Sequence, residues 1–148
     1  MIVGIEHIGL SVADLDRSLA FYRDLMGFEL LRVLDCTPEG DLGTVVGMPG
    51  CCARIAHLLL DGRMLELFEY AEPRGRVQRE DARQADHGWI HMGLTSSDVC
   101  GDYARLRDAG VAFLSEPVEF RPGVWIVYFK GPDGEVVELR QTPGGVAQ

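Results

Sequence analysis

Asp61-Gly62-Arg63-Met64-Leu65-Glu66-Leu67 returns in the second half of the chain as Asp133-Gly134-Glu135-Val136-Val137-Glu138-Leu139. Both stretches read Asp-Gly-x, two apolar residues, Glu, Leu. An Asp-Gly pair between apolar runs marks a tight hairpin turn, so each stretch is a turn feeding a strand that carries a Glu. A second matched pair lies upstream: Gly4-Ile5-Glu6-His7-Ile8-Gly9-Leu10 and Gly88-Trp89-Ile90-His91-Met92-Gly93-Leu94. The chain is two copies of one unit, and each copy opens with a His and closes with a Glu.

The elements between these landmarks repeat as well. Residues 4–12 alternate and predict a strand. Asp14 is placed to cap a helix whose face carries Leu15, Leu19, Tyr22 and Met26, with Gly27 ending it. A second strand is expected over 28–34. Residues 35–50 carry Pro38, Gly40, Gly43, Gly47, Pro49 and Gly50 and predict a loop; a long loop in a small domain is often functional. Strands follow over 52–60 and 64–70. Residues 71–87 are charged, contain Pro73 and Gly75, and form the linker, with room for a short helix from Val77 to Ala85. The order then recurs: a strand over 88–95, Asp98 as cap, Val99, Tyr103 and Leu106 on a helical face, Gly110 at its end, a strand over 111–114, a loop with Pro117 and Pro122, strands over 123–130 and 135–141, and a loose tail from 143 to 148. The expected fold class is α+β, a single domain over 1–148 made of two tandem βαβββ modules, about 4–70 and 88–142. The interval from His7 to Glu66 is longer than that from His91 to Glu138, and the extra residues fall in the 35–50 region.

Composition sets the class. A chain of 148 residues is the size of one ordinary domain and buries enough surface to fold without disulfides. With 47% hydrophobic and 25% charged residues it reads as a soluble globular protein. No apolar run approaches the roughly 20 residues needed to span a bilayer, and no signal peptide is expected at the N-terminus. Cys36, Cys51, Cys52 and Cys100 form no Cys-x-x-Cys pair and are read as reduced thiols of a cytoplasmic protein. A net charge of −9 would repel a phosphate backbone, which argues against nucleic acid as a partner.

Strand alternation places the four residues together on one kind of face. In the first strand His7, Gly9 and Ser11 oppose Ile8, Leu10 and Val12; in its repeat His91, Gly93 and Thr95 oppose Ile90, Met92 and Leu94. Met64, Glu66 and Phe68 oppose Leu65 and Leu67, and Val136, Glu138 and Arg140 oppose Val137 and Leu139. The aliphatic face is what a helix would cover, and the other carries His7, Glu66, His91 and Glu138. Two such units facing each other would join two His-Glu pairs across a pseudo-twofold axis. Imidazole nitrogen with carboxylate oxygen suits a borderline divalent ion, two carboxylates offset its charge, and four ligands leave positions for water or substrate. A lone strand His or Glu is usually an ordinary surface or core residue; the same residue type at the same place in both units argues for a metal site.

These motifs, together with Ser18-Leu19-Ala20-Phe21-Tyr22, Leu25-Met26-Gly27-Phe28 and Gly131-Pro132-Asp133-Gly134, give the chain a resemblance to the vicinal-oxygen-chelate superfamily over about residues 4–142. That group includes glyoxalase I, methylmalonyl-CoA epimerase, extradiol dioxygenases and bleomycin-resistance proteins. The resemblance implies paired βαβββ modules closing a cupped mixed sheet around one divalent metal, usually in a homodimer, with His7, Glu66, His91 and Glu138 at the ligand positions.

Glyoxalase-type members keep a His-Glu-His-Glu set, which this chain has. The epimerases usually show Gln where Glu66 stands. Extradiol dioxygenases use two His and one carboxylate and also need acid-base groups, for which only His57 and His87 remain. The drug-binding members resemble a metal-free cup, which a full ligand set disfavours. The expected function is therefore a metal-dependent lyase or isomerase of the glyoxalase type, moving a proton on a chelated carbonyl compound through an enediolate, with Ni, Co or Zn as the favoured ion and Fe or Mn within range. By resemblance Glu138 is the first choice of base and Glu66 the second. Methylmalonyl-CoA epimerase-like, dioxygenase and drug-binding readings are the alternatives. Met64, Phe68, Val136, Trp125 and Phe129 are candidates for an apolar pocket and Arg140 for a substrate carboxylate. The expected partners are a small carbonyl compound, a thiol conjugate or an acyl-CoA.

Overall fold

The computed structural model describes residues 1–77 and 82–144. The chain divides into two compact units, Met1–Val77 and Gln78–Gln148. The first contains β1 (His7–Ser11), α1 (Leu15–Leu19), which runs on as a π-helical segment (Ala20–Leu25), β2 (Glu29–Cys36), α2 (Leu42–Val45), β3 (Cys52–Leu60) and β4 (Arg63–Glu72). Its four strands lie in the order β1-β4-β3-β2, with β1 parallel to β4 and the other pairings antiparallel. The second contains β5 (Met92–Thr95), α3 (Val99–Asp108), β6 (Val118–Arg121), β7 (Val124–Lys130) and β8 (Val136–Gln141) in the order β5-β8-β7-β6, again with one parallel pair. The expected α+β class and the βαβββ order hold in both units. The sheet is built as two separate four-stranded sheets.

In each unit a helix covers the aliphatic face. Val12, Leu15, Leu19, Tyr22, Leu65 and Leu67 are buried in the first, and Val99, Leu106, Val127, Phe129, Val137 and Leu139 in the second. Tyr22 is the largest side chain sealed in this way, edge-on to Phe21 and Phe28. Asp14 caps α1 by accepting from the Arg17 N–H at 2.9 Å, and Asp98 caps α3 by accepting from the Gly101 N–H at 2.9 Å. A further pairing ties each helix start to its sheet. The Leu15 N–H donates to Glu69 at 3.3 Å and the Val99 N–H donates to Gln141 at 3.0 Å. Glu69 and Gln141 are the same position of the repeat, so both units fix the helix to the last strand in one way.

Several boundaries differ from expectation. The 35–50 stretch is not all loop, because it holds α2. The strand expected over 88–95 begins at Met92, so His91 stands just before β5. The run 111–114 is not a strand; it makes only an isolated bridge, Phe113 to Phe129, and Phe113 packs between the rings of Tyr103 and Phe129. The edge strand is instead β6, inside the expected loop. The short helix expected from Val77 to Ala85 lies partly outside the described residues; 84–88 form turns and bends. Residues 145–148 of the expected tail are also outside them. Cys36, Cys51, Cys52 and Cys100 are free thiols. Among the described residues no helix is long and apolar enough to cross a membrane.

Candidate metal and proton-transfer site

In the first unit His7 opens β1 and Glu66 lies on β4, separated by the parallel register that sets Gly9 beside Glu66 and His7 beside Met64. The His7 ring lies close to that carboxylate all the same, with Nε2 at 3.4 Å from Glu66 Oε2. The other ring nitrogen, Nδ1, is hydrogen-bonded to Glu6. That bond, with the nearby Glu66 carboxylate adding to it against desolvation, raises the His7 pKa above its ordinary value. In the second unit Gly93 lies beside Glu138, and His91 Nε2 stands 3.0 Å from Glu138 Oε2. A Cβ on Gly93 would meet nothing within 4 Å, so the ground beside this carboxylate is open.

The spacing of each pair fits joint ligation. Two donors about 2.1 Å from one ion lie about 3.0 Å apart at a right angle and about 3.4 Å apart at the tetrahedral angle. Both His-Glu separations fall on those values. The donor chemistry, neutral imidazole with carboxylate, also suits a borderline divalent ion. The other ring nitrogen, His91 Nδ1, is buried with no hydrogen-bond partner among the described residues. Among the described residues no three His, Cys, Asp or Glu side chains form a ready metal centre.

Each Glu is also met from its antiparallel neighbour, and here the sequence reading misses two residues. His57 on β3 is directly opposite Glu66, and its Nε2 stands 3.2 Å from Glu66 Oε1. His57 Nδ1 in turn accepts from Arg32 Nε on β2 at 3.1 Å. Tyr128 on β7 is directly opposite Glu138, and its hydroxyl donates to Glu138 Oε2 at 3.2 Å. The Tyr128 ring packs edge-on against His91 at 5.1 Å. Burial pushes the Tyr128 phenol pKa up, and the Glu138 carboxylate adds to the shift. The offset that carries Glu66 onto Glu138 carries His57 onto Phe129, so the repeat hides the equivalence of His57 and Tyr128. The hairpin lengths reveal it. Leu60 pairs with Arg63 across the Asp61-Gly62 turn, and counting back from that turn puts His57 opposite Glu66.

The remaining candidates divide. Met64, Glu66, Phe68 and Tyr70 share one face of β4, and the Phe68 and Tyr70 rings stack at 5.9 Å, forming an apolar wall beside Glu66. Val136 and Arg140 share the Glu138 face of β8, and Arg140 Nε is buried without a hydrogen-bond partner among the described residues. Trp125 and Phe129 do not line this face. They alternate with Tyr128 along β7, and Phe129 is fully buried against Phe113 on the helix side.

Comparison with known proteins gives the family and the fold. The family model described as "Glyoxalase/Bleomycin resistance protein/Dioxygenase superfamily" matches residues 4–139. A 2-epi-5-epi-valiolone epimerase from Actinomyces sp is 35% identical over 97% of this chain and 81% of that protein. A probable lactoylglutathione lyase from Synechocystis sp. is 29% identical over 92% of this chain and 93% of that protein. Among solved structures, a glyoxalase family protein from Bacillus cereus aligns over 97% of both chains with a TM-score of 0.87 at 19% identity, a likeness of fold.

Proposed function

Because the chain belongs to the Glyoxalase/Bleomycin resistance protein/Dioxygenase superfamily, we propose that it is a divalent-metal-dependent isomerase that removes and returns a proton on the carbon next to a carbonyl group. The observation that carries the reading is the repeated His-Glu pair, set at 3.4 Å in one unit and 3.0 Å in the other. His7 and Glu66, and His91 and Glu138, would be the ligands. A bound ion of this kind supplies Lewis acidity to a chelated carbonyl oxygen and so makes the neighbouring C–H more acidic.

The rest falls to the protein's own side chains. Glu138 is the proton carrier, because its Oε1 has no hydrogen bond among the described residues while Oε2 is held by Tyr128 and His91. Both oxygens of Glu66 are engaged, Oε1 by His57 and Oε2 by His7, which suits a fixed ligand. Phe68, Met64 and Tyr70 give an apolar wall that excludes water from the reacting carbon, and Arg140 offers a cation to a substrate oxygen. The proposed substrate is a small carbonyl compound with a second oxygen in reach of the same ion, and the proposed assembly is a homodimer. An epimerase is favoured over a lyase by the relative at 35% identity; both reactions share the proton transfer.

The test has two parts. Protein purified without an affinity tag is assayed for metal by elemental mass spectrometry beside His91→Ala. Solvent deuterium uptake is then followed by NMR across hydroxyketones, hemithioacetals and acyl-CoA thioesters. A divalent ion lost in the variant and exchange at the carbon next to a carbonyl are expected. Protein that neither holds nor takes up Ni, Co, Zn, Mn or Fe would overturn the proposal.

A further inference from the structure

Two histidines flank Glu66, at nearly the same distance from its two oxygens, and they are not alike. His7 Nδ1 faces the Glu6 carboxylate, which only accepts, so Nδ1 carries a proton and Nε2, turned to Glu66 Oε2, is the atom left to ligate. His57 Nδ1 faces the Arg32 guanidinium at 3.1 Å, which only donates, so Nδ1 is an acceptor and the proton sits on Nε2. That Nε2–H points at Glu66 Oε1, 3.2 Å away. Arg32 therefore fixes the tautomer of His57, whereas both nitrogens of His7 face carboxylates.

We infer that His57, backed by Arg32, is a positioning residue that clamps Glu66 Oε1 and turns Oε2 toward His7 and the metal. The inference rests on the metal-site reading above. His57 is suited to the task because an imidazole has two ends. It accepts from Arg32 at one nitrogen and donates to Glu66 from the other, on opposite sides of a rigid ring. Both side chains are largely buried, with 10% of the His57 and 15% of the Glu66 side chain exposed, so water competes little for either bond. The chain Arg32–His57–Glu66 crosses β2, β3 and β4 along their register, in which Arg32 pairs with His57 and His57 with Glu66. The carboxylate is thus fixed by the frame of the sheet. Tyr128 holds Glu138 on the same oxygen that His91 faces and leaves Oε1 free.

Outer partners of metal ligands typically change metal affinity by roughly 10–100-fold when removed. Competition with a chromophoric chelator, using Zn and Ni, measures that affinity directly. His57→Phe should weaken binding by roughly 10–100-fold while circular dichroism and the melting temperature of the metal-free protein stay near wild type. His57→Gln, whose amide N–H can replace the Nε2–H, should recover most of the loss, and Arg32→Met should weaken binding without touching Glu66. Nitrogen-15 NMR of the metal-free wild type should show the proton of His57 on Nε2. Wild-type metal binding that survives unchanged in His57→Phe and Arg32→Met would overturn this inference and leave the metal-site reading intact, as would a His57 proton found on Nδ1. A wild type that binds no metal would overturn that reading and this inference with it.

Discussion

Glu66 and Glu138 occupy one position of the repeat and stand in different settings. Glu66 is gripped at both oxygens; Glu138 is gripped at one. Glu138→Gln should therefore lower solvent-deuterium exchange by about 10²–10⁴-fold, the usual weight of a general base, with an unchanged circular dichroism spectrum. A fully active variant would remove Glu138 from the role. At this scale the sequence shows the two His-Glu pairs, because a His or Glu that recurs at the same point of both units is visible without coordinates. His57 and Tyr128 escape because they reach Glu66 and Glu138 across the sheet, from different positions of the repeat. Arg140 is mixed: its shared face with Glu138 follows from alternation, but the burial of its unpartnered Nε follows only from packing.

Elements built from alternating or capped segments are legible in the sequence, and those built by context are not. β3 is predicted over 52–60 and spans Cys52–Leu60. β6 hides because Val118, Glu119, Phe120 and Arg121 are all exposed, so no buried face imposes alternation on an edge strand. The apolar run at 111–114 looks like a strand and is not one, because Phe113 is drawn into the α3–β7 core by ring contacts with Tyr103 and Phe129. α2 is masked by the glycines around it, and one of them is required there. A Cβ on Gly43 would lie 2.7 Å from the Met48 carbonyl oxygen and 3.1 Å from the Gly50 nitrogen, both backbone atoms. Gly43→Ala should cost about 1–3 kcal/mol, the usual penalty for overfilling a packed site, read as a lower midpoint in urea. Asp98→Ala, which strips the cap from α3, should cost about 1 kcal/mol in the same assay, and Asp98→Asn should recover much of it.

For the whole molecule the proposed metal is also a source of stability. An ion that binds the native state alone adds about 2.7 kcal/mol at a free concentration of 100 times its Kd. At about 2–4 °C per kcal/mol for a chain near this size, the melting temperature should rise roughly 5–10 °C on metal addition and fall back with chelator. A calorimetric trace that ignores both would count against a native-state site. The net charge of −9 favours uptake of a cation and is reduced by it. The two-unit organisation is legible from the repeat alone, since the same landmarks return in the same order in both halves. What the repeat cannot show is where the copies have diverged, and the hairpins are that place. Leu60 turns to Arg63 through Asp61 and Gly62 alone, whereas Lys130 turns to Val136 through the longer run from Gly131 to Glu135. The difference slides β7 by one position against β3, and Tyr128 arrives where His57 would have been. The turn therefore works as a tuning peg. Lengthening or shortening it by one position would change which side chain is handed to the carboxylate, while the strand that carries the carboxylate stays in place.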